Sequence, residues 1–184
     1  KQSLQNQDET TARAILEEGY GRGIRTDWLM RTLFDLLARN GRWSRALEIL
    51  EEARKVKVLD KTHNKTLAQQ HKAVVLLAQA SEAVDVAEAE SLAVKAHDLW
   101  PHFAPVAVFY ADKLRAIGKA RKARAVIMTA WKALPHPLLV TALDTLYGQK
   151  GSGAKLKAFE KLVSLQPNHY LSHLALGKTA MTAG

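Results

Sequence analysis

The sequence predicts an all-α protein, organised as a right-handed α-solenoid of about four helix–turn–helix repeats of the tetratricopeptide (TPR) type with flanking helices. Apolar residues recur at helical spacing along most of the 184 residues, and no segment shows the period-two alternation typical of strands. Pro101 and Pro135 lie 34 residues apart, and Pro167 follows 32 residues later. This spacing matches one TPR unit, in which a proline ends the second helix of each pair.

The composition is that of an ordinary globular domain, and it excludes several classes of site. Hydrophobic residues make up 47% of the chain and charged residues 24%. The chain has no cysteine, which excludes disulfides, thiolate metal sites and cysteine nucleophiles. Its longest apolar runs are too short to cross a membrane.

The first predicted helix lies within 8–23 and belongs to a repeat whose first helix would precede it. Ala12, Ile15 and Leu16 form its apolar stripe, and the glycine-rich segment 19–23 ends it. That segment contains the pattern GxGxG. It follows a helix rather than a strand, so we do not interpret it as a dinucleotide site.

The first complete repeat is predicted over 27–59. Thr26 or Asp27 suits the N-cap of its first helix, and Asn40-Gly41 suits the turn into its second. After a connection at Leu59–Asn64, the second repeat is predicted over 65–103. Asp85 caps its second helix, which Trp100-Pro101 closes.

The third repeat, 104–137, has the clearest pattern. Small residues such as Ala107, Ala123 and Ala130 fall where two helices must approach closely, and Gly118 lies at the turn. The fourth repeat is predicted over 138–167 with a loop at Gly148–Gly153, and a terminal helix over 168–184. Together these elements predict a single solenoid domain over 1–184.

The net charge of +9 lies entirely in the second half of the chain. Residues 1–101 carry 15 Lys/Arg and 15 Asp/Glu, whereas 102–184 carry 12 Lys/Arg and 3 Asp/Glu. The densest basic patch surrounds the Gly118 turn and comprises Lys113, Lys119, Arg121, Lys122 and Arg124. Such a patch indicates either a solvated surface or a contact with an acidic protein or an anionic membrane. It lacks interleaved aromatic residues, so we do not expect nucleic acid as a partner.

The first helix of each TPR pair lines the concave side of the stack, where partner segments commonly bind. Repeat positions on these helices predict a partner-binding face. Its members are Trp28, Arg31, Asp35, Arg39, His71, Asp112 and Arg115.

No catalytic residue, metal site or cofactor is predicted. His102, His136 and His169 recur after the closing prolines, but equivalent positions of stacked repeats lie about 10 Å apart, too far to share a metal. We interpret them as polar residues suited to helix starts. His169 and His173 lack a third ligand. The segment Gly148–Gly153 lacks the lysine that a phosphate-binding loop requires directly after its last glycine.

Four sequence blocks, together with the Trp100-Pro101 pair, resemble the C-terminal TPR region of the proteobacterial HemY-type proteins. The blocks are TDWLMRTLFDLLARNGRWSRALEILEEARK (26–55), LDKTHNKTLAQQHKAVVLLAQA (59–80), GKARKARAVIMTAWKALPHP (118–137) and LQPNHYLSHLALGKTAMTAG (165–184). The resemblance implies a cytoplasmic-facing domain, tethered by N-terminal helices to the bacterial inner membrane. It also implies a non-enzymatic scaffold that organises haem biosynthesis enzymes.

Two alternatives remain open from the sequence. The first is a generic TPR adaptor for an acidic partner or membrane surface. The second is a haem or porphyrin carrier that uses one of the recurring histidines. The sequence leaves the oligomeric state undetermined.

Overall fold

The computed structural model describes the backbone of residues 2–56, 64–148 and 152–183, and side chains within 8–56, 68–148 and 153–181. Ten helices and no strand occur in these ranges. The helices are α1 Gln2–Gly21, α2 Asp27–Arg39, α3 Trp43–Lys55, α4 Asn64–Glu82, α5 Val86–Leu99, α6 Ala104–Ala116, α7 Ala120–Ala133, α8 Pro137–Tyr147, α9 Ser152–Leu165 and α10 Tyr170–Ala183. The all-α prediction is confirmed.

The chain forms two compact units, Lys1–Ala83 and Val84–Gly184. The boundary falls inside the predicted repeat 65–103, so that α4 belongs to the first unit and α5 to the second. The predicted pairing of α4 with α5 therefore stays a prediction, and so does a single continuous solenoid over 1–184.

In the first unit, α2 packs on both α1 and α3, and α4 packs on α3. Leu33, Leu37 and Ile49 are fully buried in the core between α2 and α3. At Gly19 a Cβ atom would lie only 3.0 Å from Leu29 Cδ1. The glycine therefore lets α1 approach α2 closely.

A polar cluster around Tyr20 joins the end of α1 to α3. The Tyr20 hydroxyl donates to Glu52, and Arg25 Nε donates to the same carboxylate at 2.6 Å. The Arg25 guanidinium also lies 3.7 Å from the centroid of the Tyr20 ring, with Arg45 nearby at 5.2 Å. Burial, followed by the hydrogen bond to Glu52, raises the pKa of Tyr20. We interpret this cluster as structural, since its groups satisfy one another.

In the second unit, α6 packs on α5, α7 and α8, while α9 packs on α7, α8 and α10. Contacts of α6 with α8 and of α7 with α9 join equivalent helices of successive pairs, as a TPR stack requires. The fully buried Trp131 lies at the centre, and its Nε1 donates to the Leu162 carbonyl at 3.2 Å. Leu143 and Phe159 pack in the same cluster.

The helix boundaries follow from the predicted start and stop residues. The helices α5, α7 and α9 each end two residues before a proline, at Leu99, Ala133 and Leu165. The Thr26 hydroxyl caps α2 by accepting from the Leu29 N–H, and Asp85 caps α5 by accepting from two N–H groups.

Two of the predicted glycine turns share one geometry. Gly41 and Gly118 have φ values of +67° and +75°, a region that L side chains rarely adopt. After each glycine the next N–H bonds back five residues, to Leu37 at 2.9 Å and to Leu114 at 2.8 Å. This is the Schellman ending, which satisfies the last carbonyls of α2 and α6.

Two helix starts differ from expectation, because α1 begins earlier than predicted and α9 begins at Ser152, inside the predicted loop Gly148–Gly153. Helix α1 begins at Gln2 rather than near Asp8, because polar residues such as Gln and Ser do not break a helix. Most of the predicted connection Leu59–Asn64 falls outside the described part of the chain. The same holds for the middle of the predicted loop Gly148–Gly153.

Two glycine substitutions in the second unit should have opposite effects on stability. A Cβ atom added to Gly118 or to Gly177 would meet no other atom within 4 Å, so only backbone conformation matters. We expect Gly118→Ala to lower the free energy of unfolding by about 1–2 kcal/mol, because of its positive φ. Gly177→Ala, within α10, should raise it by about 0.5–1 kcal/mol. Urea unfolding followed by circular dichroism measures both, and equal effects would contradict the assigned turn.

Candidate partner-binding surfaces

The predicted partner-binding residues of α2 form one exposed face, called here the α2 face. It comprises Trp28, Arg31, Asp35 and Arg39, which are spaced three or four residues apart and so lie on one side of the helix. Trp28 is 69% exposed, which is unusual for so large an apolar side chain. Arg31 is held by Asp27 through an ion pair of 2.7 Å. Exposed aromatic and arginine side chains of this kind dominate binding at protein interfaces.

His71 on α4 lies beside the α2 face. Its ring stacks on Phe34 of α2 with a centroid distance of 5.5 Å. Burial lowers the pKa of His71, and Arg31 lowers it further, while the charge of Asp35 opposes the shift. His71 thus extends the α2 face with a neutral ring at physiological pH.

The other two predicted residues, Asp112 and Arg115, lie in a cleft between α6 and α8. The cleft has a volume of about 180 Å³, and Leu138 and Thr141 line its α8 side. Arg115 Nη2 pairs with Asp112 Oδ1 at 2.6 Å. This internal pair neutralises both charges, so the cleft offers mainly apolar contacts. That these residues bind a partner stays a prediction.

The predicted basic patch divides into parts with different surroundings. Lys113 lies on α6 with its Nζ 5.0 Å from the centroid of the Phe109 ring. Lys119 precedes α7, and Lys122 is exposed on α7. Arg121 and Arg124 line a depression in the surface. That these five cations act together on one partner stays a prediction.

The depression is a groove between α7 and α9, called here the α7/α9 groove, with a volume of about 690 Å³. Arg121 and Arg124 line its α7 side, and Lys157 and Lys161 line its α9 side. Sequence reasoning missed the two lysines. Their signal was spacing within α9, because Lys157 and Lys161 are four residues apart and so lie on one side of the helix.

Two of the recurring histidines are helix caps. His136 Nδ1 accepts from the Leu138 N–H at 3.1 Å, and His169 Nδ1 accepts from the Leu171 N–H at 3.2 Å. The third, His102, is exposed before α6, whose N-cap is Phe103. Within the described residues, no three His, Asp or Glu side chains cluster so as to hold a metal.

Comparison with known proteins identifies no family for this chain. No family model matches it, and no curated protein does. Among solved structures, the chain is similar to TTC0263, a thermophilic TPR protein from Thermus thermophilus. The two share 17% identity over 98% of this chain and 94% of that one, with a TM-score of 0.43.

In the described part of the chain, no helix combines the length and the apolar character that a membrane span needs.

The titration of His71 tests the geometry beside the α2 face. Because its pKa is lowered in the folded state, the unfolded state binds more protons as the pH falls through about 6.5, the ordinary histidine value. We therefore expect His71 to destabilise the fold below about pH 6.5 and to have no such effect above it. The unfolding free energy of the wild type, relative to that of His71→Gln, should therefore fall as the pH is lowered from about 8 to about 5. A ring that titrates by NMR at or above the ordinary value would contradict it.

Proposed function

We propose that this chain is a non-enzymatic scaffold that binds protein partners through its helical repeats. The observation that carries the proposal is the α2 face, where Trp28 and Arg39 are exposed on the same side of one helix. An exposed tryptophan leaves apolar area in water, and a partner that covers it gains the corresponding free energy. The charged residues of the same face would fix the register of the bound segment.

The α2 face suits a segment that lies along the helix. From Trp28 to Arg39 the face extends over eleven residues, or about 16 Å at the helical rise. Arg31 and Asp35 give it both signs of charge, so a partner of mixed charge fits better than a uniformly acidic one.

A more specific version of this proposal is that the partners are enzymes of haem biosynthesis at the bacterial inner membrane. It rests on the four sequence blocks that resemble HemY-type proteins. A full-length sequence with membrane helices before residue 1, encoded beside haem genes, would support this assignment. A full-length sequence without such helices would contradict it.

The adaptor alternative, for an acidic partner or membrane surface, is favoured by the basic second half of the chain. The α7/α9 groove is the specific observation behind it. The haem-carrier alternative has less support, because the Nδ1 atoms of His136 and His169 are engaged in capping helices.

Substitution of the α2 face tests the scaffold proposal. The variant Trp28→Ala/Arg39→Ala removes two exposed side chains, so its unfolding free energy should change by less than about 0.5 kcal/mol for each. We expect partners that co-purify with the wild type to be recovered at least about tenfold less well, as is typical when anchor residues are lost.

The matched control is Ile15→Ala/Arg54→Ala, which also removes one exposed apolar residue and one exposed arginine from the first unit. It should retain the wild-type partners in quantitative mass spectrometry. Equal recovery by both variants and the wild type would show that the α2 face is not the binding surface.

A further inference from the structure

The α7/α9 groove carries charge of one sign only. Its charged lining residues are Arg121, Arg124, Lys157 and Lys161, and all four are exposed. Within the described part of the chain, none of the four forms an ion pair, in contrast to Lys155, which pairs with Asp144 at 2.5 Å. We propose that this groove binds a short acidic segment of a partner protein.

The groove is built from the outward sides of two helices that pack on each other, α7 and α9. On α7 and on α9 the lining residues have the same spacing and differ by 33 in number. The pairs are Arg121 with Ala154, Arg124 with Lys157, Ala125 with Ala158, and Met128 with Lys161. Ala125 and Ala158 are small, so the space between the two rows of cations stays open. Cations therefore line both sides of the groove, with small apolar residues between them.

The dimensions of the groove set the size of the ligand. From Arg121 to Met128 it follows seven residues of α7, which corresponds to about 10 Å at the helical rise. An extended peptide covers that length with about three residues. The occupant is therefore a short segment with two or three carboxylates, and an apolar side chain that contacts Met128.

One cation is held in place before any ligand binds. Arg124 Nη1 donates to the Tyr147 hydroxyl at 3.0 Å, and Tyr147 itself is only 8% exposed. A fixed guanidinium loses less conformational freedom when it pairs with a carboxylate, and it can do so with two parallel hydrogen bonds. Arg124 is the residue that we expect to orient the acidic segment.

The chemistry of the groove favours a protein segment over other polyanions. Its one aromatic lining residue among those described, Tyr147, is buried and bonded to Arg124, so it is not available to stack on a nucleotide base. The cations line a recess rather than a flat surface, and lipid headgroups in a bilayer form a plane. A peptide can enter the recess and place carboxylates against both walls.

This inference rests on the proposed function, since it takes the ligand to be part of a protein, but it concerns a different surface from the α2 face. Failure of acidic peptide binding at the groove, with partners still captured through Trp28 and Arg39, would overturn the groove alone. Equal recovery of partners by the wild type and by Trp28→Ala/Arg39→Ala would overturn the proposed function and leave the groove result intact.

The test is fluorescence anisotropy with the full chain and a labelled synthetic peptide in which glutamates flank a central leucine. The groove variant is Lys157→Gln/Lys161→Gln, whose side chains are exposed, so that folding is preserved. The control Lys55→Gln/Lys95→Gln removes the same charge from exposed sites outside the groove. We expect the groove variant to bind about tenfold more weakly, and the control to change affinity by less than about twofold.

Five results would overturn the proposal. The acidic peptide fails to bind the wild type, or its glutamine analogue binds equally well. The groove variant and the control weaken binding equally, which would indicate a diffuse effect of net charge. Single-stranded DNA binds the groove more tightly than the peptide does. Phosphatidylserine vesicles lose binding in the groove variant while the peptide does not, which would assign the site to a membrane.

Discussion

The close approach of helices at buried alanines is the constraint on which both units depend. Ala46 in the first unit, and Ala107, Ala123 and Ala130 in the second, are completely buried. A methyl side chain at these positions lets two helix backbones come together, and large residues such as Trp131 then fill the space beside the contact. Each helix pair therefore has little tolerance for added volume on its inner side.

Because packing uses one side of each helix, the opposite side is left for surface chemistry. On α7, Ala123, Ile127 and Trp131 face the core, while Arg121 and Arg124 face outward. The contact of α7 with α9 places the outward residues of two repeats side by side. The groove is thus a product of the stacking itself, and any change in the spacing between α7 and α9 would alter its width.

Local patterns in the sequence were sufficient to predict the helices and their ends. Proline spacing placed the ends of α5 and α7, and Gly41 and Gly118 marked turns, because these residues act through backbone geometry alone. The exposed α2 face followed from helical periodicity. Arg31 and Asp35 are exposed on α2, and their role in binding a partner stays a prediction.

Contacts between distant segments were not predictable in the same way. The hydrogen bond of Tyr20 to Glu52 spans 32 residues, and the Trp131 bond to Leu162 spans 31. The basic patch around Gly118 illustrates the same limit, because only the packing of α9 on α7 brings Lys157 beside Arg124. Such contacts depend on the angle and distance between helices, which sequence periodicity does not determine.

The most direct test of the dependence on close helix contact is to add volume at one of the buried alanines. Ala123→Leu places three more carbons at a position with no exposed area, whereas Ala133→Leu places them on the exposed end of the same helix. Chemical unfolding should show that Ala123→Leu lowers the free energy of unfolding by about 1–3 kcal/mol, and that Ala133→Leu changes it by less than about 0.5 kcal/mol. Equal stability of the two variants would contradict the claim that close helix contact at the buried alanines holds the fold together.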